Sequence, residues 1–402
     1  MSWQPLKAEV TTPMFCGRGG TTADTFRISE LRGALRFWVR ALVPDEPSAK
    51  ALADKVFGRA SDHNTDGTSP VRFRPVKLPA LTKTATADAP QWHNEKWSGG
   101  PRPEAETVAV SYLLGPGIFV PRRRGGPPAH LEREFVDVGE EVGLKADVCD
   151  HGPLVASAAW LLAVFGGVGR RFHRGFGGLR FGTDDLATLA GSDFPPCKVN
   201  DFYNPALVGA VVDFARSPNT PPPTGEPALT PDHSYLTVSC PGESWLSSGS
   251  PWLCVLPERT FNTWSAAAAF AAERLRTFRA SKDRSPGKTG FKRWVTSEYQ
   301  QTHTSGIEEF SIGSFGLPVN FPRKFNVEPA HYHRRASPLW LRPVRVGNDW
   351  RLLAHAFLSK FMNGDALRCK PTNDFLGSLG SPRLDQATVD ATLRQFLESL
   401  IR

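Results

Sequence analysis

Gly166-Gly-Val-Gly-Arg-Arg-Phe-His-Arg-Gly-Phe-Gly-Gly178 stands between an apolar run that ends at Phe165 and a strand-like Leu179-Arg-Phe181. Its glycines permit positive φ and close approach of backbone or phosphate, successive amides can form an anion nest, and Arg170, Arg171 and Arg174 bring charge into the same segment. No acidic residue falls between Trp160 and Arg180. A dinucleotide fingerprint is excluded, because Gly167-Val-Gly169 is followed by Arg-Arg-Phe172 where the third glycine belongs, and the loop leads into a strand instead of a helix. Two readings stay open: a binding loop for an anionic chain through Gly167, Gly169, Arg170, Arg171, His173 and Arg174, or a long turn whose arginines are merely solvated.

Outward from the loop, residues 153–165 read as a helix apolar nearly all round, expected to be buried against a sheet. Nearer the N-terminus, Ser29 is expected to cap a helix that carries Leu31, Leu35, Trp38, Val39 and Leu42 on one side and is stopped by Pro44. Arg32, Arg36 and Arg40, four apart, form a stripe on the flank of that face. The stripe is a second candidate binding surface, with a structural pairing of Arg36 to an acid as the alternative. Residues 71–76, 107–114, 235–239 and 252–256 read as strands, 262–279 and 384–401 as helices, and 339–346 pairs with 350–357 across a Gly347-Asn348 turn. The pattern is α+β, in two halves of similar size, 1–190 and 191–402. Six prolines in residues 217–231 mark a surface insertion or hinge.

Across the 402 residues the net charge is +8, which suggests an anionic partner. The charge is gathered locally. Residues 276–293 hold Lys288, Lys292 and Arg293 among interleaved aromatics, a composition suited to single-stranded nucleic acid, and residues 323–335 end in Arg334 and Arg335. The bland reading of both is a solvated basic loop. Six scattered cysteines without a C-x-x-C pair fit free thiols of a cytoplasmic protein, and no apolar run is long enough for a membrane span. Catalytic motifs are absent, and no cofactor or metal is expected: His331 and His333 lack a third ligand. His173, as an acid or base for RNA cleavage, and Asp24, in the loop after Gly17–Gly20, are the only catalytic candidates.

Thr12-Pro-Met-Phe-Cys-Gly-Arg-Gly-Gly20 followed by Ile28-Ser-Glu-Leu-Arg-Gly-Ala-Leu-Arg-Phe-Trp-Val-Arg-Ala41 resembles the opening of the RAMP superfamily of CRISPR systems. Within it the chain looks like the first RAMP subunit of the type III-B (Cmr) effector complex. The loop 167–177 matches that family's glycine-rich loop, and Phe315-Gly-Leu-Pro-Val and Arg334-Arg-Ala-Ser-Pro-Leu339 match its C-terminal half. The resemblance implies two ferredoxin-like (RRM-like) domains with long loop insertions. It also implies a non-catalytic subunit that caps the filament at the 3′ region of the guide RNA (crRNA), beside other Cmr RAMP subunits and near target RNA. Arg18, Arg32, Arg36, Arg40, the loop residues, Lys288, Lys292, Arg293, Arg334 and Arg335 are then the expected RNA contacts. A RAMP-type metal-independent endoribonuclease using His173 or Asp24 is the alternative.

Overall fold

The computed structural model describes residues 2–17, 26–59, 69–82, 105–115, 117–120, 130–191, 193–198, 207–216, 244–246, 250–280, 310–317, 319–321, 325–330, 335–358, 361, 364, 366–371 and 382–402. Arg18, Asp24, the 217–231 and 235–239 segments, Lys288, Lys292, Arg293, His331, His333 and Arg334 lie outside the described residues.

The first half contains β1 (Gln4–Val10), α1 (Ile28–Ala41), α2 (Glu46–Phe57), β2 (Arg72–Lys77), α3 (Ala105–Leu114), β3 (Phe119–Val120), β4 (His130–Leu131), β5 (Glu141–Asp147), α4 (Gly152–Phe165), β6 (Leu179–Phe181), α5 (Thr183–Ala190) and α6 (Val208–Arg216). Strands β2, β5, β1 and β6 lie side by side in that order, all antiparallel. With α1 between β1 and β2 and α4 between β5 and β6, this is the βαββαβ ferredoxin-like arrangement. Alternation explains the strands: Leu6, Ala8 and Val10 of β1 and Val142, Leu144 and Ala146 of β5 are buried, while Lys7 and Lys145 are exposed. The expected apolar helix is α4, which packs against α1, α5 and α6. Packing of the first half therefore runs past residue 190 to α6, whose Val208, Val211, Val212 and Ala215 join the core.

The second half contains β7 (Ser244–Trp245), β8 (Trp252–Val255), β9 (Thr260–Phe261), α7 (Trp264–Ala280), β10 (Val319–Phe321), β11 (Phe325–Pro329), β12 (Leu339–Val346), β13 (Asp349–Phe357), β14 (Leu367–Pro371) and α8 (Gln386–Ile401). The expected hairpin is β12–β13, turning at Gly347 with φ 61°. Sheet order β12-β13-β8-β7, with α7 and α8 against it, repeats the ferredoxin-like plan. Here β7, from before β8 in the chain, takes the place beside β8 that a strand after α8 would otherwise fill.

Two local expectations are corrected. Residues 107–114, rich in strand formers, lie in helix α3, because Val110, Leu113 and Leu114 bury against α7 and its alanines (Ala267, Ala268, Ala271, Ala272) admit a close helix. Tertiary packing overrides local preference there. Helix α1 begins two residues earlier than expected, so Arg27 holds the cap position without a side-chain cap bond and Ser29 is already inside the first turn. It ends at Ala41, and after Pro44 Asp45 starts α2 by accepting from the Ser48 N–H at 2.8 Å.

The two halves meet at the C-terminus of α4. A helix leaves its last carbonyls without intrahelical donors. Two of these are satisfied by the other half: Arg342 of β12 donates to Ala163 O at 3.0 Å, and His355 of β13 lies 2.8 Å from Phe165 O. Both side chains are buried.

Candidate RNA-binding cleft

The glycine-rich loop is a wedge at this junction, and neither of the two readings of its sequence anticipates that. Val168 N–H donates to Gly177 O at 2.8 Å, Arg170 N–H to Phe15 O at 2.8 Å, and Gly177 N–H to Pro13 O at 2.9 Å. The loop is thus stitched to itself and to the segment after β1. This closeness demands glycine at two positions above all. A Cβ on Gly177 (φ +69°) would stand 1.8 Å from Val168 O, and one on Gly169 (φ +90°) 2.6 Å from Phe15 O.

Beside the wedge opens a cleft of about 540 Å³. One wall is α1, through Glu30, Gly33, Ala34 and Phe37; the second is the loop, through Gly167, Gly169, Arg170, Phe172 and His173; the third is the segment from Arg335 to Trp340. Three stretches distant in sequence therefore converge. Leu317 and Arg335 exchange both backbone hydrogen bonds, at 2.8 and 3.0 Å, which ties the two C-terminal motif stretches together at the third wall. Phe37, Phe172 and Trp340 give the cleft an aromatic lining, with Arg170 and Arg335 among its lining residues. Such a combination suits single-stranded nucleic acid, whose bases stack on rings while cations meet phosphates.

His173 is fixed within this lining. Its ring stacks on Trp340 with centroids 4.0 Å apart and meets Phe172 edge-on at 4.3 Å. Its Nδ1 lies 2.9 Å from Ser337 O; a carbonyl only accepts, so Nδ1 carries the proton. Burial outweighs that hydrogen bond and pushes the imidazole down to about 3. At neutral pH the ring is uncharged, and it is poorly suited to proton transfer.

The expected sites divide accordingly. Gly167, Gly169, Arg170, His173 and Arg335 line the cleft. The α1 stripe does not: Arg36 donates to Gly58 O at 2.7 Å and pairs with Asp54, Arg32 donates to Phe57 O, and Arg40 lies 3.7 Å from Glu46. Arg32 and Arg36 therefore anchor the C-terminal end of α2 and Arg40 faces its first residue, and the structural alternative considered for Arg36 is what the geometry supplies. Burial, with Arg40 and Arg32 beside it, lowers the Arg36 guanidinium. Arg171 and Arg174 are also outside the cleft, Arg174 donating to Phe315 O at 3.3 Å. Glu30, Gly33, Ala34, Phe37, Ser337 and Trp340 were missed as site residues. The spacing 30, 33, 34, 37 was the available signal, since those positions share one helix face. Among the described residues no group of three or more His, Cys, Asp or Glu is arranged to hold a metal ion, and no helix is long and apolar enough to cross a membrane.

No curated protein matches the sequence. Among solved structures, the chain is similar to apo Cmr1 from Pyrococcus furiosus, at 16% identity over 91% of this chain and 90% of that one, with a TM-score of 0.48. It is also similar to a chain of the type III-B Cmr-beta complex bound to cognate target RNA, at 11% identity over 99% of both chains and a TM-score of 0.47. A further Cmr-beta complex, with target RNA, AMPPnP and single-stranded DNA, gives 12% identity over 100% of this chain and 99% of that one, at a TM-score of 0.47. The RAMP superfamily model matches residues 7–180, the stretch that runs from β1 through the glycine-rich loop to β6.

Proposed function

We propose that this chain is the first RAMP subunit of a type III-B (Cmr) CRISPR effector complex, a non-catalytic subunit that binds RNA in antiviral defence. In this reading it caps the filament at the 3′ region of the guide, contacts target RNA, adjoins other Cmr RAMP subunits and works in the cytoplasm. The observation that carries the reading is the convergence of the loop, the α1 face and the Arg335–Trp340 segment on one aromatic and basic cleft. A guide with variable spacer needs contacts to phosphate and to base faces, which read little sequence, and the cleft lining supplies both types. Arg18, Lys288, Lys292, Arg293 and Arg334 remain candidate contacts, and the two-half organisation, with the first half extended to α6, is part of the proposal.

The endoribonuclease alternative has less support. His173 is held neutral, with its Nδ1–H donating to the Ser337 carbonyl, and lacks the near-neutral pKa that acid–base catalysis needs. The test is RNA affinity of the full chain and of the Arg170→Gln/Arg335→Gln double variant. Affinity should fall several-fold and its salt dependence should flatten. Cleavage of RNA by the purified protein, abolished by His173→Ala, would reverse the choice.

A further inference from the structure

Arg171 and Arg174 do not line the cleft, and their surroundings have a chemistry of their own. They face α3 and α7. The Arg171 guanidinium passes 3.0 Å from where a Cβ would stand on Gly115, at the end of α3. On α7, Arg279 donates through Nη1 to the Tyr112 hydroxyl of α3 at 2.8 Å. Two donors of this cluster, Arg174 Nη1 and Arg279 Nε, are buried and have no hydrogen-bond partner among the described residues. The groups that face Arg174 are Arg279, Arg171 and the Tyr112 hydroxyl, and burial together with Arg279 lowers its guanidinium to about 10. Like charges set side by side in a half-buried position are costly unless an anion joins them. Buried donors of this kind call for a partner such as an ion or water, which the described residues do not provide.

We propose that Arg174, Arg279 and Tyr112 form a second anion site, outside the cleft, that takes a phosphate group. The donors fit the ligand. Arg174 Nη1 and Arg279 Nε offer N–H groups suited to phosphate oxygens. The Tyr112 oxygen already accepts from Arg279, so its own O–H is left to donate to the anion. Two sources share this chemistry: a phosphodiester of bound RNA, which would carry the strand from the cleft to the α3–α7 side of the loop, or a free phosphate compound. The site stands on its own geometry and does not depend on RNA occupying the cleft.

The probe is inorganic phosphate, added to the full chain during thermal unfolding, with sodium chloride at equal ionic strength as reference. A ligand that binds only the folded state raises the midpoint. Phosphate should raise that of the wild type, and this rise should be lost in Arg279→Gln and reduced in Tyr112→Phe, which keeps the packed ring and removes only the hydroxyl. Single-stranded RNA is then added. Competition with phosphate assigns the site to the RNA backbone, and its absence assigns it to a free phosphate compound. No rise in the wild type, or an equal rise in both variants, overturns the site. Loss of RNA binding at the cleft would leave the phosphate response unchanged, so the two readings fail separately.

Discussion

Acidification from pH 7 to pH 5 should loosen the junction between the two halves, and His355 should carry a measurable share of that loss. Its Nε2, 2.8 Å from the Phe165 carbonyl, must donate, so its Nδ1 accepts from Trp252 Nε1 at 3.1 Å. A second proton on Nδ1 would face a donor. Burial is the main cause that lowers this imidazole to about 3, against about 6.5 in an unfolded chain. The unfolded state therefore takes up a proton that the folded state refuses. Stability is complete above pH 6.5 and falls as the pH drops toward 3. Between pH 7 and pH 5 the linkage amounts to about 2 kcal/mol for one such histidine, whatever the folded value, provided it stays well below 5. His173, also lowered to about 3, adds a smaller amount because it is only half-buried. Urea unfolding at both pH values reads this directly. The wild type should lose about 2 kcal/mol more than His355→Gln, whose amide can still donate to Phe165 O. Equal losses in the two proteins would refute the assignment of His355 as a neutral, doubly bonded side chain.

Gly177→Ala, with its Cβ forced to 1.8 Å from Val168 O, should destabilise by more than about 3 kcal/mol in thermal or urea unfolding. Gly33→Ala, which meets nothing within 4 Å, should stabilise α1 by up to about 1 kcal/mol while narrowing the cleft it lines. Arg36→Ala removes the bonds that hold the end of α2 and should cost about 1–3 kcal/mol of stability with RNA affinity unchanged. A loss of RNA affinity in that variant without destabilisation would return the α1 stripe to the binding surface.

The elements that were legible in the sequence are those whose own side chains dictate them. Helix α4 announces itself by being apolar on every side, α1 by Leu31, Leu35, Trp38 and Val39, and the β12–β13 hairpin by two apolar runs around Gly347-Asn348. Strands β1 and β5 carry an equally plain alternation, Leu6-Ala8-Val10 and Val142-Leu144-Ala146, which the sequence reading did not use. Helix α3 was misread for a physical reason: its preference is set by the alanine face of α7, more than 150 residues away. The candidate site was half legible. Composition marked the loop, but only packing shows that its glycines serve backbone crossings at Phe15 and Val168, or that Arg170 and Arg174 have separate surroundings. The arginines of α1 mislead because a basic stripe looks the same whether it meets phosphate or the carbonyls at the end of a helix.

The central claim, that RNA lies in the cleft between the loop, α1 and the Arg335–Trp340 segment, is tested most directly by a crosslinking map of the chain assembled with guide RNA. Crosslinks should fall on peptides containing Phe37, Arg170–His173 and Arg335–Trp340. A map in which those peptides meet only protein, with RNA crosslinked elsewhere on the chain or not at all, would contradict it.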